Sequence, residues 1–225
     1  MKSFKEIFDS YNSDKNSTFH NYCRQYEPLL TPWREKPVRL LEIGVFKGES
    51  VKIWRDIFHN AECILGVDID PACSQYSNPS NRIHVEIADG TKKEVLEELN
   101  TKYGPFDIII DDGSHVNVDV INTFEAAFPL LKDGGIYIVE DTICHKWRKS
   151  VKEEAPDHLS YFVRYTTYLN QWRMSDSVSG PRDNCTDPFK IIKKTSDPIE
   201  QGLDKMEFGS SYIALYKKVR THWIP

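Results

Sequence analysis

Leu40-Leu41-Glu42-Ile43-Gly44-Val45-Phe46-Lys47-Gly48 joins an apolar run (Val38–Ile43) to a helical pattern through an acid and a glycine turn. Val51, Trp54, Ile57 and Phe58 then fall on one helical face. The same unit repeats downstream. Apolar runs at Cys63–Ile69, Ile83–Ala88, Phe106–Ile110 and Ile136–Val139 are separated by helices that would turn Val95, Leu96, Leu99 and Tyr103, then Ile121, Phe124, Ala127 and Phe128, inward. Runs without polar alternation suit strands covered on both faces, and strands alternating with helices imply parallel pairing through right-handed crossovers. The expected fold is α/β, a mostly parallel central sheet with helices on both faces.

Each run carries an acid at or just beyond its C-terminal end: Glu42, Asp68, Asp89, Asp111 with Asp112, and Glu140 with Asp141. In an open α/β sheet these ends share one edge, where ligands bind. Any one of the acids would serve as a helix cap or turn residue. Gathered together they repel, and they call for a ligand that is cationic or rich in donors. S-adenosylmethionine has both properties. A dinucleotide needs a G-x-G-x-x-G turn for its pyrophosphate, and Phe46 stands where the middle glycine would be.

The 225 residues suit one domain with length left for a lid, and 40% hydrophobic with 28% charged residues is a globular balance. A formal net charge of -5 argues against a nucleic acid held through its phosphates. Cys23, Cys63, Cys73, Cys144 and Cys185 are scattered and give neither a disulfide framework nor a zinc knuckle. With no signal-peptide core and no membrane-length apolar run, the expected setting is reducing and cytoplasmic.

Asp111-Asp112-Gly113-Ser114-His115 follows the fourth run and Glu140-Asp141 the fifth. Adjacent strands would bring Asp112, Glu140 and Asp141 together as a hard oxygen site for Mg²⁺ or Mn²⁺. His115, one turn past Asp112, is placed as a proton acceptor. The rival reading is that Asp112 and Ser114 cap the next helix.

Outside the core, Phe4, Ile7, Phe8 and Tyr11 mark a short N-terminal helix, and Pro28, Pro32 and Pro37 punctuate an irregular approach to the first strand. Ala155 to Met174 is helical in pattern, Ser175 to Asp187 is a loop, and Phe189–Thr195 and Tyr212–Tyr216 read as two last strands across a polar stretch. The divisions are a cap at 1–36, a cofactor and metal core at 37–147, a lid or substrate region at 148–187 and C-terminal strands at 188–225, all within one domain.

The runs Leu40–Val45, Ser50 to Arg55, Gly66–Asp70 and Ile109–His115, continued by Phe128-Pro129-Leu130-Leu131, Gly134–Asp141 and Trp147, resemble the macrolide and sugar O-methyltransferases. Ser13-Asp14-Lys15, with His20, Tyr22 and Tyr26, looks like that family's short motif ahead of the core. The resemblance implies the Rossmann-like class I methyltransferase fold with an antiparallel last strand. It also implies S-adenosylmethionine at Glu42, Gly44, Asp68 and Asp89, with Asp111 on the same side and Asp70 a rival to Asp68 for the ribose. Asp112, Glu140 and Asp141 match its magnesium ligands and His115 its base.

The expected function is Mg²⁺-assisted O-methylation of a sugar, glycoconjugate or other vicinal diol, with Trp147, Tyr165, Tyr168 and Trp172 as stacking walls or core packers. The acceptor is a small molecule or glycoconjugate, no nucleic acid is expected, and a homo-oligomer is compatible with the sequence. The rivals are a metal oxygenase of the cephalosporin-hydroxylase type, for which a second histidine would be needed, and a non-catalytic S-adenosylmethionine-binding protein.

Overall fold

A computed structural model describes residues 2–146, 157–175 and 197–219. Within them, a sheet of order β3-β2-β1-β4-β5-β7-β6 is built from β1 (Arg39–Ile43), β2 (Cys63–Asp68), β3 (Ile83–Ile87), β4 (Phe106–Asp111), β5 (Leu131–Val139), β6 (Leu203–Gly209) and β7 (Tyr212–Lys217). The first five strands pair in parallel, and β7 runs antiparallel to both β5 and β6. This is the expected α/β sheet with its antiparallel edge.

The apolar runs are uninterrupted because both faces of the sheet are covered. Leu40, Ile108, Ile110, Ile136 and Ile138 point to one core, closed by α1 (Phe4–Phe8), α2 (Tyr22–Leu30) and α3 (Glu49–Ile57). Leu41, Ile109, Tyr137 and Val139 point to the other, closed by α4 (Lys93–Tyr103), α5 (Asn117–Ala127) and α6 (His158–Ser175). Val51, Trp54, Ile57 and Phe58 are fully buried, as their spacing required. Burial of that size, about 1.5–3 kcal/mol for each large apolar side chain, holds α3 against the sheet and fixes the turn that precedes it.

Two features depart from the sequence reading. The segment read as an irregular, proline-marked approach contains α2, with Pro28 inside it. Tyr22, Cys23, Tyr26, Leu29 and Leu30 are buried at helical spacing, and that packing outweighs the proline. The polar stretch before Tyr212 is β6, an edge strand whose exposed charged residues conceal it. Of the two roles the sequence left open for Tyr165 and Tyr168, the structure has them as core packers, 0% and 8% exposed. Trp147, the side chain of Trp172, most of the 148–187 lid and the Phe189–Thr195 strand lie outside the described residues.

Cys23, Cys63, Cys73 and Cys144 are free thiols. Among the described residues no helix is long and apolar enough to cross a membrane.

Candidate active site

The parallel ladder continues one residue past its strands. Gly44 N donates to Val67 O at 2.8 Å, Asp112 N to Ile43 O at 2.9 Å and Glu140 N to Asp111 O at 2.9 Å. These bonds set the turns after β1, β4 and β5 side by side. Gly44, at φ +97°, sits so close to the turn after β4 that a Cβ there would lie 2.1 Å from Asp112 O. Only glycine satisfies both the angle and the approach.

The candidate cofactor residues divide into two groups. Glu42 is fully buried and accepts from Ser50 Oγ (2.7 Å) and Trp54 Nε1 (2.9 Å); burial, chiefly, pushes its carboxyl up to about 7. Asp111 is buried under Tyr137 Oη at 3.1 Å, and burial raises it to about 7 as well. Neither reaches the open edge; both brace it from within. Asp68 and Asp89 are on the surface. Asp68 Oδ2 takes the N–H groups of Val45 and Phe46, and Oδ1 that of Asp70. Partial burial pushes the Asp68 carboxyl up, but these donors together bring it below its ordinary value. Oδ1 keeps a lone pair for a ligand hydroxyl. Asp89 caps its own turn through Thr91, and Asp70 caps the turn at Ala72.

Asp112, His115 and Asp141 converge, with one ligand atom from each lying within 4.8 Å of the others. His115 Nε2 is 3.8 Å from Asp112 Oδ1 and 3.6 Å from Asp141 Oδ2. His115 and Asp141 both adopt left-handed backbone angles, φ 56° and 51°, and so does Phe46 at 50°. Non-glycine residues held there are strained and persist only where their surroundings fix them. Three of them gather at one sheet edge.

Glu140 faces inward, 1% exposed. Its Oε1 accepts from the Tyr26 hydroxyl and its Oε2 from the ammonium of Lys15. Lys15 is itself 3% exposed, donates to Asp112 Oδ2 at 2.5 Å and lies 5.5 Å above the Tyr22 ring. Burial opposes its charge, yet Asp112, Glu140 and Glu42 hold it protonated well above the ordinary lysine range. One ammonium does not balance the cluster. Burial first raises both Asp112 and Glu140 above the usual carboxylate values; Lys15 and His115 oppose it at Asp112, where Asp141 adds repulsion, and repulsion from Asp112 adds to it at Glu140.

Four contributors come from residues 15–26: Lys15, His20 (Nδ1 3.9 Å from Asp141 Oδ1), Tyr22 and Tyr26. The motif resemblance named all four, but it assigned them no role and no partners. The same segment, from Asn12 to Phe19, forms one wall of a cavity of about 460 Å³; Gly44, Phe46, Ser50 and Asp112 form the other.

A methyltransferase-domain family model matches residues 41–142. The chain is 34% identical over 149 residues to demethylmacrocin O-methyltransferase of Streptomyces fradiae, covering 63% of this chain and 37% of that protein. Mycinamicin VI 2''-O-methyltransferase of Micromonospora griseorubida is likewise 34% identical over 149 residues, covering 63% of this chain and 36% of its own. The fold superposes with a TM-score of 0.77 and 23% identity on MycE, the mycinamycin-pathway methyltransferase solved with Mg, SAH and mycinamycin VI. That match covers 100% of this chain and 57% of MycE. The chain thus spans a little over a third of the curated relatives' length. In residues 41–142, which match a methyltransferase-domain model, and in its Rossmann-like sheet, this chain is similar to the macrolide and sugar O-methyltransferases.

Proposed function

We propose that the protein is an S-adenosylmethionine-dependent, Mg²⁺-assisted O-methyltransferase acting on a hydroxyl of a sugar, a glycoconjugate or another vicinal diol. The observation that carries this reading is the convergence of Asp112, His115 and Asp141 beside the Gly44 turn. The relatives' names support the acceptor class.

Both groups suit the residues present. The cavity, about 460 Å³, is within the range of sites for ligands of cofactor size. Gly44 and Ser50 line it, and Asp68 retains an acceptor for a ribose hydroxyl. Asp112 Oδ1 and Asp141 Oδ2, on the side that faces His115, are hard oxygen donors for a divalent cation. Glu140, the third acid of the expected set, is buried beside them. When bound, S-adenosylmethionine supplies an electrophilic methyl group and Mg²⁺ polarises the hydroxyl that receives it.

The chain's own residues do the rest. His115 accepts the hydroxyl proton at an imidazole nitrogen as the oxygen–methyl bond forms and the carbon–sulfur bond breaks. Asp112 and Asp141 flank that imidazole and orient it. The cavity walls align donor and acceptor, which removes much of the entropic barrier.

The test is methyl transfer from isotopically labelled S-adenosylmethionine to a panel of glycosides carrying vicinal diols, with and without EDTA. Expected are labelled ethers whose formation EDTA abolishes. Heat of binding with NAD and none with S-adenosylmethionine would defeat the reading. Turnover indifferent to EDTA would remove the metal from it.

A further inference from the structure

We propose that Phe46 is a cofactor-contact residue whose ring face recognises the positive charge of S-adenosylmethionine, so that the site separates the sulfonium donor from its neutral thioether product. The inference rests on the methyltransferase reading above and adds to it a source of discrimination between the two.

The backbone makes the first observation. Phe46 is held at φ 50°, a region that side chains other than glycine rarely adopt. Both of its main-chain polar groups are tied there. Its N–H donates to Asp68 Oδ2 at 3.0 Å, and its carbonyl accepts from the Cys73 thiol at 3.2 Å. Yet the ring that this backbone presents is 74% exposed. A large apolar side chain that is both strained and exposed contributes little to folding. Strain of this kind collects where ligands bind.

Position supplies the second observation. Phe46 lines the cavity together with Gly44, Val45 and Asp112. Its turn wraps the Asp68 carboxylate, because the N–H groups of Val45 and Phe46 share Oδ2. Oδ1 keeps a lone pair for a ribose hydroxyl. At the other end of the turn, Gly44 stacks on Asp112. In S-adenosylmethionine the sulfonium stands one methylene from the ribose and bears the methyl that must face the acceptor. A cofactor reaching from Asp68 to Asp112 passes this turn.

Charge supplies the third. The Phe46 ring already holds a cation, since the Lys47 ammonium lies over it at 5.1 Å from the centroid and Lys47 also lines the cavity. An aromatic face attracts cations through its quadrupole and has no such attraction for a neutral thioether. Loss of the ring should therefore weaken the sulfonium compound selectively.

The experiment is calorimetric titration of the full chain with three ligands: S-adenosylmethionine, S-adenosylhomocysteine and an analogue with an ammonium in place of the sulfonium. The amino-acid end is common to all three and cancels in the comparison. Phe46→Leu keeps an apolar side chain and removes the ring. It should lower affinity for both cations relative to S-adenosylhomocysteine by at least about threefold, and by up to about thirtyfold where the bound pair excludes water. Phe46→Tyr should keep the wild-type ratio. Urea unfolding of both variants should match wild type, so that a changed ratio is not a loss of fold. A smaller change in Phe46→Leu, or equal weakening of all three ligands, would make the ring a plain apolar wall and overturn the inference while the methyltransferase reading stands. A ratio in Phe46→Tyr as low as in Phe46→Leu overturns it as well. Wild type that binds none of the three overturns both.

Discussion

Tyr22 and Asp141 hold each other at two points. The Tyr22 hydroxyl donates to Asp141 Oδ1 at 2.7 Å and accepts from the Asp141 backbone N–H at 3.0 Å. Asp141 has a left-handed backbone, φ 51°, and the tyrosine secures both its main chain and its carboxylate. Helix α2 therefore reaches across the sheet edge to set a residue 119 positions away. Tyr22→Phe keeps the ring and removes both bonds, together with the hydroxyl's bond to Ser211 O at 3.1 Å. It should cost about 1–3 kcal/mol in urea unfolding, because a buried donor and acceptor lose their partner. Equal stability of the two proteins would show that the angle at Asp141 is fixed by its own loop.

His115 allows chemistry and backbone strain to be separated. His115→Ala and His115→Gly should both slow methyl transfer by on the order of 10²–10⁴. Glycine accepts φ 56° freely and alanine does not, so the glycine variant should be the more stable of the two. S-adenosylmethionine affinity should be unchanged in both, since His115 does not line the cavity. Wild-type turnover in either variant would place the base elsewhere.

Glu42 should give the unfolding free energy a dependence on pH. Its carboxyl is held at about 7 against an ordinary 4.5, mainly by burial. The folded state therefore keeps a proton that the unfolded chain has released. This contribution is greatest in acid, declines above the unfolded value and is lost as pH rises through the folded one. Glu42→Gln removes the decline. Urea unfolding should find the variant flatter across this window and more stable than wild type above it, by as much as ~3 kcal/mol before any loss at Ser50 and Trp54. Parallel pH profiles would show that Glu42 ionises normally.

Gly44→Ala tests how tightly two turns are stacked. The new methyl would meet Asp112 O at 2.1 Å on a residue already at φ +97°. A cost on the order of 3–5 kcal/mol is expected, together with weakened Mn²⁺ binding, because Asp112 must retreat. A fully stable variant with intact metal affinity would show that the turns part without consequence.

The sheet and the acids at its edge were legible because burial on both faces writes continuous apolar runs, and Gly44, Asp112 and His115 sit at fixed offsets from those runs. What lay beyond reading depends on packing rather than pattern. Glu42 and Asp68 are both acids at strand ends, but only tertiary contacts decide that Glu42 is enclosed by Ser50 and Trp54 while Asp68 faces outward. The inward turn of Glu140 is invisible without Lys15, which approaches from 125 positions away. Pro28 concealed α2, because local propensity argues against a helix that burial of Tyr22, Tyr26 and Leu30 makes favourable.

The placement of Lys15 separates two boundaries that are easily equated. The stretch that the methyltransferase-domain family model matches, residues 41–142, holds Asp112, Glu140 and Asp141 but not the ammonium that offsets them. Grafting that stretch alone onto another leader would transplant the acids without their counter-charge. A chimera built from this chain should therefore be joined ahead of residue 12, so that Lys15 and the sheet edge it neutralises stay together.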